Sequence, residues 1–113
     1  ITNMSEDTTK SRPHRIPMLR ADNWVLWKCR MIAVLTDLGL ESHIAEGAKI
    51  PEIANPDKPT KEELDTQRKW REQDAKARCK IELSISDAEL MHLSGATTAR
   101  QMWEQLTTLK ESK

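Results

Sequence analysis

The sequence has no Phe and no Tyr, so its four tryptophans are its only large aromatic side chains. Its three glycines do not form a phosphate-binding loop. Two cysteines, fifty positions apart, and three scattered histidines lack the close pairing that zinc sites need. No nucleophile–base pair and no pair of catalytic carboxylates is recognisable. We therefore expect a protein that is not an enzyme and that has no cofactor and no metal.

The sequence also lacks an excess of charge and a long apolar run. Acidic and basic residues balance at 18 each, whereas nucleic-acid-binding domains usually have a basic excess. No apolar run approaches the roughly 20 residues of a membrane-spanning helix, and no signal peptide is recognisable. These absences predict a cytoplasmic protein without membrane contact, in which Cys29 and Cys79 are reduced and buried.

The 113 residues are enough for one small domain. Residues 1–15 have little to bury, which predicts a flexible leader, and residues 111–113 a tail. Residues 16–110 are the predicted helical domain, and Pro17 keeps its first residues extended as a strap. The leader contains Lys10, Arg12 and Arg15, which can contact nucleic acid weakly; a solubilising tail is the simpler interpretation.

Three stretches repeat apolar residues at helical spacing, and each contains tryptophan. The first helix is predicted to begin after Asp22 or Asn23 and to end at Gly39. Its stripe consists of Trp24, Trp27, Met31, Leu35 and Leu38. Val25, Cys29 and Ile32 widen the stripe, which predicts a central helix that is buried on more than one side. Leu40–Glu46 can form a short second helix.

The longest predicted helix begins at Thr60, where Thr60 and Glu63 match a capping box, and runs to about Ser84. Its charged first half is typical of a solvated face. A short helix after Ser86 and a final helix after Thr97 or Thr98 follow. No stretch alternates in the way a β-strand does. The sequence therefore predicts an all-α fold, a single small bundle of about five helices.

The predicted core and its one polar residue follow from the same spacing. The core residues are Trp24, Trp27, Met31, Leu35, Trp70, Ala77, Ile81, Met102, Trp103 and Leu106. Asp74 shares the apolar face of the longest helix, so its carboxylate needs a partner if it is buried. Arg78, four residues on, and Arg30 are candidates. A catalytic acid would need a second functional group nearby, and the sequence provides none.

The order of these residues resembles the Gag proteins of copia-type (Ty1/copia) LTR retrotransposons. The matching motifs are Leu19–Trp27 with Asn23 and Trp24, Met31, Gly39-Leu40, Trp70/Asp74/Ala77/Ile81, Thr98-Ala99 and Trp103-Glu104-Gln105-Leu106. The resemblance covers residues 16–110. This stretch is similar to the amino-terminal part of the capsid region of such a Gag protein. Glu41 departs from the family, which often has an aromatic residue after Gly-Leu.

The resemblance implies a structural module that self-associates into the shell of virus-like particles around RNA. The family's RNA-binding zinc knuckle, Cys-x2-Cys-x4-His-x4-Cys, does not occur in these residues. Three functions therefore remain open. The domain is a homo-oligomerising capsid module, a domesticated interaction domain that binds a host protein or peptide in a groove between helices, or a weak RNA binder through its basic leader.

Overall fold

Four α-helices and one 3₁₀ turn form the regular structure of residues 16–112, the residues that the computed structural model describes. The elements are α1 (Trp24–Asp37), the 3₁₀ turn (Glu41–His43), α2 (Lys61–Glu82), α3 (Asp87–Leu90) and α4 (Ala99–Glu111). Because residues 16–112 contain no strand, the all-α prediction is confirmed. The predicted leader, residues 1–15, and Lys113 lie outside the described residues.

The predicted second helix over Leu40–Glu46 is wrong, and only the 3₁₀ turn forms there. Gly39 and Gly47 flank this segment with φ of 72° and 82°, which end helical geometry on both sides. Between these two stops the segment forms only a 3₁₀ turn of three residues. The helix count is therefore four instead of five.

The apolar segment before α1 is extended, as Pro17 predicts, and lies against the end of α2. Leu19 forms an isolated parallel bridge with Ile85. The Leu19 amide donates to the Ser84 carbonyl at 2.8 Å, and the Ser86 amide donates to the Leu19 carbonyl at 3.1 Å. The Leu19 side chain is fully buried. This strap therefore joins the start of the domain to residues more than sixty positions later in the chain.

Side-chain caps begin two of the helices as the sequence predicts. At α2 the amide of Glu63 donates to Thr60 Oγ1 (3.0 Å) and the amide of Thr60 donates to Glu63 Oε1 (2.9 Å). At α4, Thr98 Oγ1 accepts from the Gln101 amide. Helices α1 and α3 also begin directly after Asn23 and Ser86, as the sequence predicts, but neither side chain caps its helix. The Asn23 side chain instead accepts from the Arg20 amide and donates to the Met18 carbonyl.

One apolar cluster fills the space between the strap, α1, α2 and α4. Its buried residues are Leu19, Trp24, Trp27, Met31, Leu35, Leu40, Ile44, Ala77, Ile81, Ile85, Ala99, Met102, Trp103 and Leu106. Two charged groups on α3 and α4, Glu89 and Lys110, form an ion pair at its edge, with Nζ and Oε1 2.7 Å apart. The cluster buries only one face of each long helix.

Several side chains lie elsewhere than the sequence predicts. Val25, Cys29 and Ile32 are exposed, because α1 buries only the face that contains its two tryptophans. Cys79 is exposed as well, so the prediction of two buried cysteines is wrong. Leu38, the last residue of the predicted stripe of the first helix, is 39% exposed. Trp70 is half-buried and lies outside the core cluster, because α2 turns its indole toward the 3₁₀ turn.

Candidate functional site

Three of the four tryptophans lie together at the contact between α1 and α4. The ring centroids are 5.8 Å apart for Trp24 and Trp27, 6.0 Å for Trp27 and Trp103, and 6.1 Å for Trp24 and Trp103. Aromatic pairs at these separations add stability beyond the area that they bury. The structure therefore brings together three of the four indoles that the sequence assigned to one core.

The two indole N–H groups of α1 are both hydrogen-bonded. Trp27 Nε1 donates to the Ser84 carbonyl at 2.7 Å, and this carbonyl also accepts the Leu19 amide. Trp24 Nε1 donates to Glu111 Oε2 at 2.9 Å. Lys28 Nζ lies 2.6 Å from the same Glu111 oxygen. A buried indole needs such a partner, so these contacts assign the cluster to packing.

Glu111 is the carboxyl group that contacts the tryptophan cluster, through Trp24. Hydrogen bonds from Lys28 and then Trp24 lower the pKa of its carboxyl below the ordinary value of 4.5. A carboxyl with a lowered pKa stabilises the fold above the unfolded-state pKa, and this contribution is lost as the pH falls through the folded-state pKa. We expect Glu111→Gln to lose stability less steeply than the wild type below about pH 4.5, measured by urea unfolding along a pH series.

Glu62→Gln is the matched control for this prediction, because Glu62 is exposed and makes no hydrogen bond or ion pair with the described residues. Its pH profile should follow the wild type. Glu63, whose pKa is also lowered, by hydrogen bonds from the Ala54 and Thr60 amides, remains in both variants. If Glu111→Gln and the wild type lose stability in parallel, the lowered pKa of Glu111 has no part in acid unfolding.

Asp74 is a buried carboxylate that joins α2 to the start of α4. Its Oδ1 accepts the amide of Ala99, the first residue of α4, at 2.9 Å. Its Oδ2 accepts from Arg78 Nε at 3.0 Å, so Arg78, one of the two candidates, is its partner. A carboxylate at a helix N-terminus satisfies a free amide and interacts favourably with the helix dipole. Asp74 therefore fixes the position of α4 against α2.

His43 and Trp70 form a second aromatic contact beside Asp74. The His43 ring lies 5.1 Å from the Trp70 ring, and His43 Nδ1 lies 3.8 Å from Asp74 Oδ1. His43 is buried, and its Nδ1 has no hydrogen-bond partner among the described residues. From α4, Arg100 donates to the Ile44 carbonyl at 2.7 Å and holds the 3₁₀ turn in place. The packing thus fixes one side of the Trp70 indole.

The other side of Trp70 lines a groove of about 540 Å³ between the Ala48–Ile50 loop, α2 and the start of α4. Cationic side chains form much of its rim: Lys49, Arg71, Arg78 and Arg100. Its two acidic residues are Asp74 and Glu104. We call this space the Trp70 groove.

A family model of the gag-polypeptide of copia-type LTR retrotransposons matches residues 31–113, well over half of the chain. The chain belongs to the copia-type Gag family. No curated protein and no solved structure matches it. The match confirms the family that the sequence motifs indicate, although the opening motif of this Gag domain, Leu19–Trp27, lies before the matched residues.

The motifs of the Gag resemblance have a common structural role. Trp70, Asp74, Ala77 and Ile81 all lie on the side of α2 that faces the rest of the domain. Asp74 bonds the amide of Ala99, which belongs to the next motif, and Trp103 and Leu106 from the last motif are buried in the same core. The spacing within these motifs therefore places their residues where α2 and α4 contact each other.

Within residues 16–112, the Gag domain also leaves an apolar face of α1 exposed. The face of α1 opposite its buried stripe consists of Val25, Leu26, Cys29, Ile32, Ala33 and Thr36, all exposed. Val25 is 74% and Leu26 51% exposed, and no charged residue interrupts the set. We call this set the α1 outer face. Its residues are apolar and helically spaced like those of the buried stripe. Periodicity alone therefore could not show which of the two faces is buried.

Other candidate sites receive less support from the described part of the Gag domain. The predicted nucleic-acid contacts Lys10, Arg12 and Arg15 lie outside residues 16–112. Within residues 16–112 no cluster of three or more His, Cys, Asp or Glu is arranged to hold a metal ion. No helix in the same range is long and apolar enough to cross a membrane. The contacts of His43 with Trp70 and Asp74 were not predicted from the sequence, because a single histidine on a short segment has no recognisable pattern.

Proposed function

We propose that this Gag domain is a structural assembly module, part of the capsid region, whose copies associate to build the shell of a particle. Its membership of the copia-type Gag family supports this proposal. The observation that carries it is the α1 outer face, an exposed helical stripe without charge. Contiguous exposed apolar surface of this kind marks interaction sites in soluble proteins.

A second copy is the partner that the α1 outer face fits best. Cys29 is at its centre, with Val25 and Leu26 on the amino-terminal side and Ile32, Ala33 and Thr36 on the carboxy-terminal side. An antiparallel pair of α1 helices related by a two-fold axis near Cys29 would place the two halves of the stripe against each other. The zero formal net charge of the chain gives no long-range repulsion between copies.

The first test introduces a charge on this face. Val25→Asp should raise the dissociation constant of self-association at least about tenfold, because burying a Val side chain is worth about 1.5–3 kcal/mol and the carboxylate would be desolvated. Sedimentation equilibrium over a concentration series measures this constant. Leu64→Asp is the matched control, since Leu64 is an exposed apolar residue in the first turn of α2. It should associate like the wild type.

The second test uses the two exposed cysteines of the chain. Two packed helices have axes about 8–10 Å apart, which brings facing Cα atoms within the range that a disulfide spans. Mild oxidation should cross-link the Cys79→Ser variant through Cys29 and leave the Cys29→Ser variant monomeric under denaturing conditions. A monomer at all concentrations, or a cross-link that depends on Cys79 alone, would refute assembly through the α1 outer face.

A further inference from the structure

The Trp70 groove has properties that assembly through α1 does not use. Trp70 is the one tryptophan outside the cluster of three, and its indole is held on one side by His43. His43 is buried and α4 holds the 3₁₀ turn through Arg100, so the indole is fixed before any ligand arrives. A preorganised aromatic surface lowers the entropy cost of binding. Half-buried Trp side chains are frequent anchors in interfaces.

The groove also has positive charge that no neighbour neutralises. Both of its acidic residues are engaged: Asp74 by Arg78 and the Ala99 amide, and Glu104 by Arg100 at 3.3 Å. Arg71 forms no ion pair with the described residues. Lys49 pairs only with Glu52, and both side chains are more than 70% exposed, which makes that pair weak. Arg71 and Lys49 are therefore available to an anionic ligand.

We propose that the Trp70 groove binds a short acidic peptide segment that contains a large apolar side chain. The apolar side chain contacts the indole of Trp70, and the carboxylates pair with Arg71 and Lys49. A volume of about 540 Å³ is typical of a ligand pocket and admits a few residues of an extended chain. The apolar lining from Ala48 and Ile50 suits a peptide side chain.

A peptide fits this groove better than RNA does. RNA binding draws on many phosphate contacts spread along a basic surface. Here the formal net charge of the chain is zero. Two cations at the groove, Arg71 and Lys49, lack a strong partner among the described residues. RNA is retained as an outcome of the test. The groove and the α1 outer face share no residue, so binding at the one does not require assembly through the other.

The test uses a fluorescein-labelled peptide in which Leu alternates with Glu, and fluorescence anisotropy at physiological salt. Arg71→Glu should raise the dissociation constant about tenfold, since it replaces an attractive contact with a repulsive one. Lys69→Glu is the matched control, because Lys69 is an exposed cation on the same helix outside the groove, and the change in net charge is identical. It should change affinity less than about twofold. A peptide with Ala in place of Leu should bind more weakly.

A second readout locates the site on the wild-type domain. The four indole N–H signals are followed by NMR during the titration, and Trp70→Phe identifies the Trp70 signal. The peptide should shift the Trp70 signal and leave those of Trp24, Trp27 and Trp103 in place. Three outcomes would each overturn the proposal. They are an equal loss of peptide affinity in Arg71→Glu and Lys69→Glu, tighter binding of oligouridylate than of the peptide, and a Trp70 signal that does not move. Val25→Asp should bind the peptide like the wild type, which separates this result from the assembly tests.

Discussion

Trp27→Ala is expected to lower the free energy of unfolding by about 3–5 kcal/mol, the range measured for removing a buried aromatic side chain. Trp27 is fully buried, stacks against both Trp24 and Trp103, and donates to the Ser84 carbonyl. Its loss would leave a cavity at the junction of the strap, α1 and α4. Because a small domain has about 5–15 kcal/mol in total, the variant should be close to unfolding. Urea denaturation followed by circular dichroism measures the change.

Two further variants show whether the cavity is the cause. Trp27→Phe loses the hydrogen bond to Ser84 but keeps an aromatic ring that fills most of the cavity. It should therefore retain a large part of the stability that Trp27→Ala loses. Trp70→Ala removes the same side chain from a half-buried position and should cost clearly less than Trp27→Ala. If Trp27→Ala and Trp70→Ala are equally destabilised, the core is not organised around the cluster of three.

Asp74→Ala is expected to cost about 2–3 kcal/mol, because removing the buried carboxylate leaves a buried amide without a hydrogen-bond partner. The Ala99 amide would lose its acceptor at the start of α4, and Arg78 Nε would lose the carboxylate. Both the contact between α2 and α4 and the N-terminal turn of α4 should weaken. Chemical denaturation gives the loss, and hydrogen exchange at the Ala99 amide shows whether α4 frays.

Asp74→Asn and Asp65→Ala are the controls for this prediction. The Asn side chain can still accept from the Ala99 amide but presents no charge to Arg78. The stability of Asp74→Asn should therefore lie between those of the wild type and Asp74→Ala. Asp65 lies on the same helix and pairs with Arg68 at 3.5 Å in a partly exposed position. Such a pair contributes less than about 1 kcal/mol, so Asp65→Ala should be nearly neutral. A neutral Asp74→Ala would mean that Asp74 does not hold α4.

Local patterns in the sequence were enough to predict most of the helices. The capping box at Thr60 and Glu63 and the cap at Thr98 depend on residues three positions apart, and both form. The apolar stripe that includes Trp27 and Met31 is also a local pattern. Predictions of burial failed where two faces of one helix have the same apolar pattern. Both faces of α1 are apolar, and the core covers only one of them.

The candidate sites were harder to predict, because they depend on contacts between distant residues. Asp74 was recognised as a buried acid with Arg78 as a possible partner, but its bond to the Ala99 amide joins residues 25 positions apart. Glu111 and Trp24 are 87 positions apart. No spacing rule relates such pairs, and only the packing of α2, α1 and α4 brings them together. For the same reason Cys29 and Cys79, with ordinary helical spacing, were assigned to the interior.

The strap affects where this domain can be divided. The family match begins at residue 31, within α1, but Leu19 and both tryptophans of α1 precede it and belong to the core. Leu19 closes the bridge to Ile85, and Trp27 shares the Ser84 carbonyl with it. The folded core therefore begins upstream of the residues that the family model matches. A boundary for expression or for domain fusion belongs upstream of Leu19.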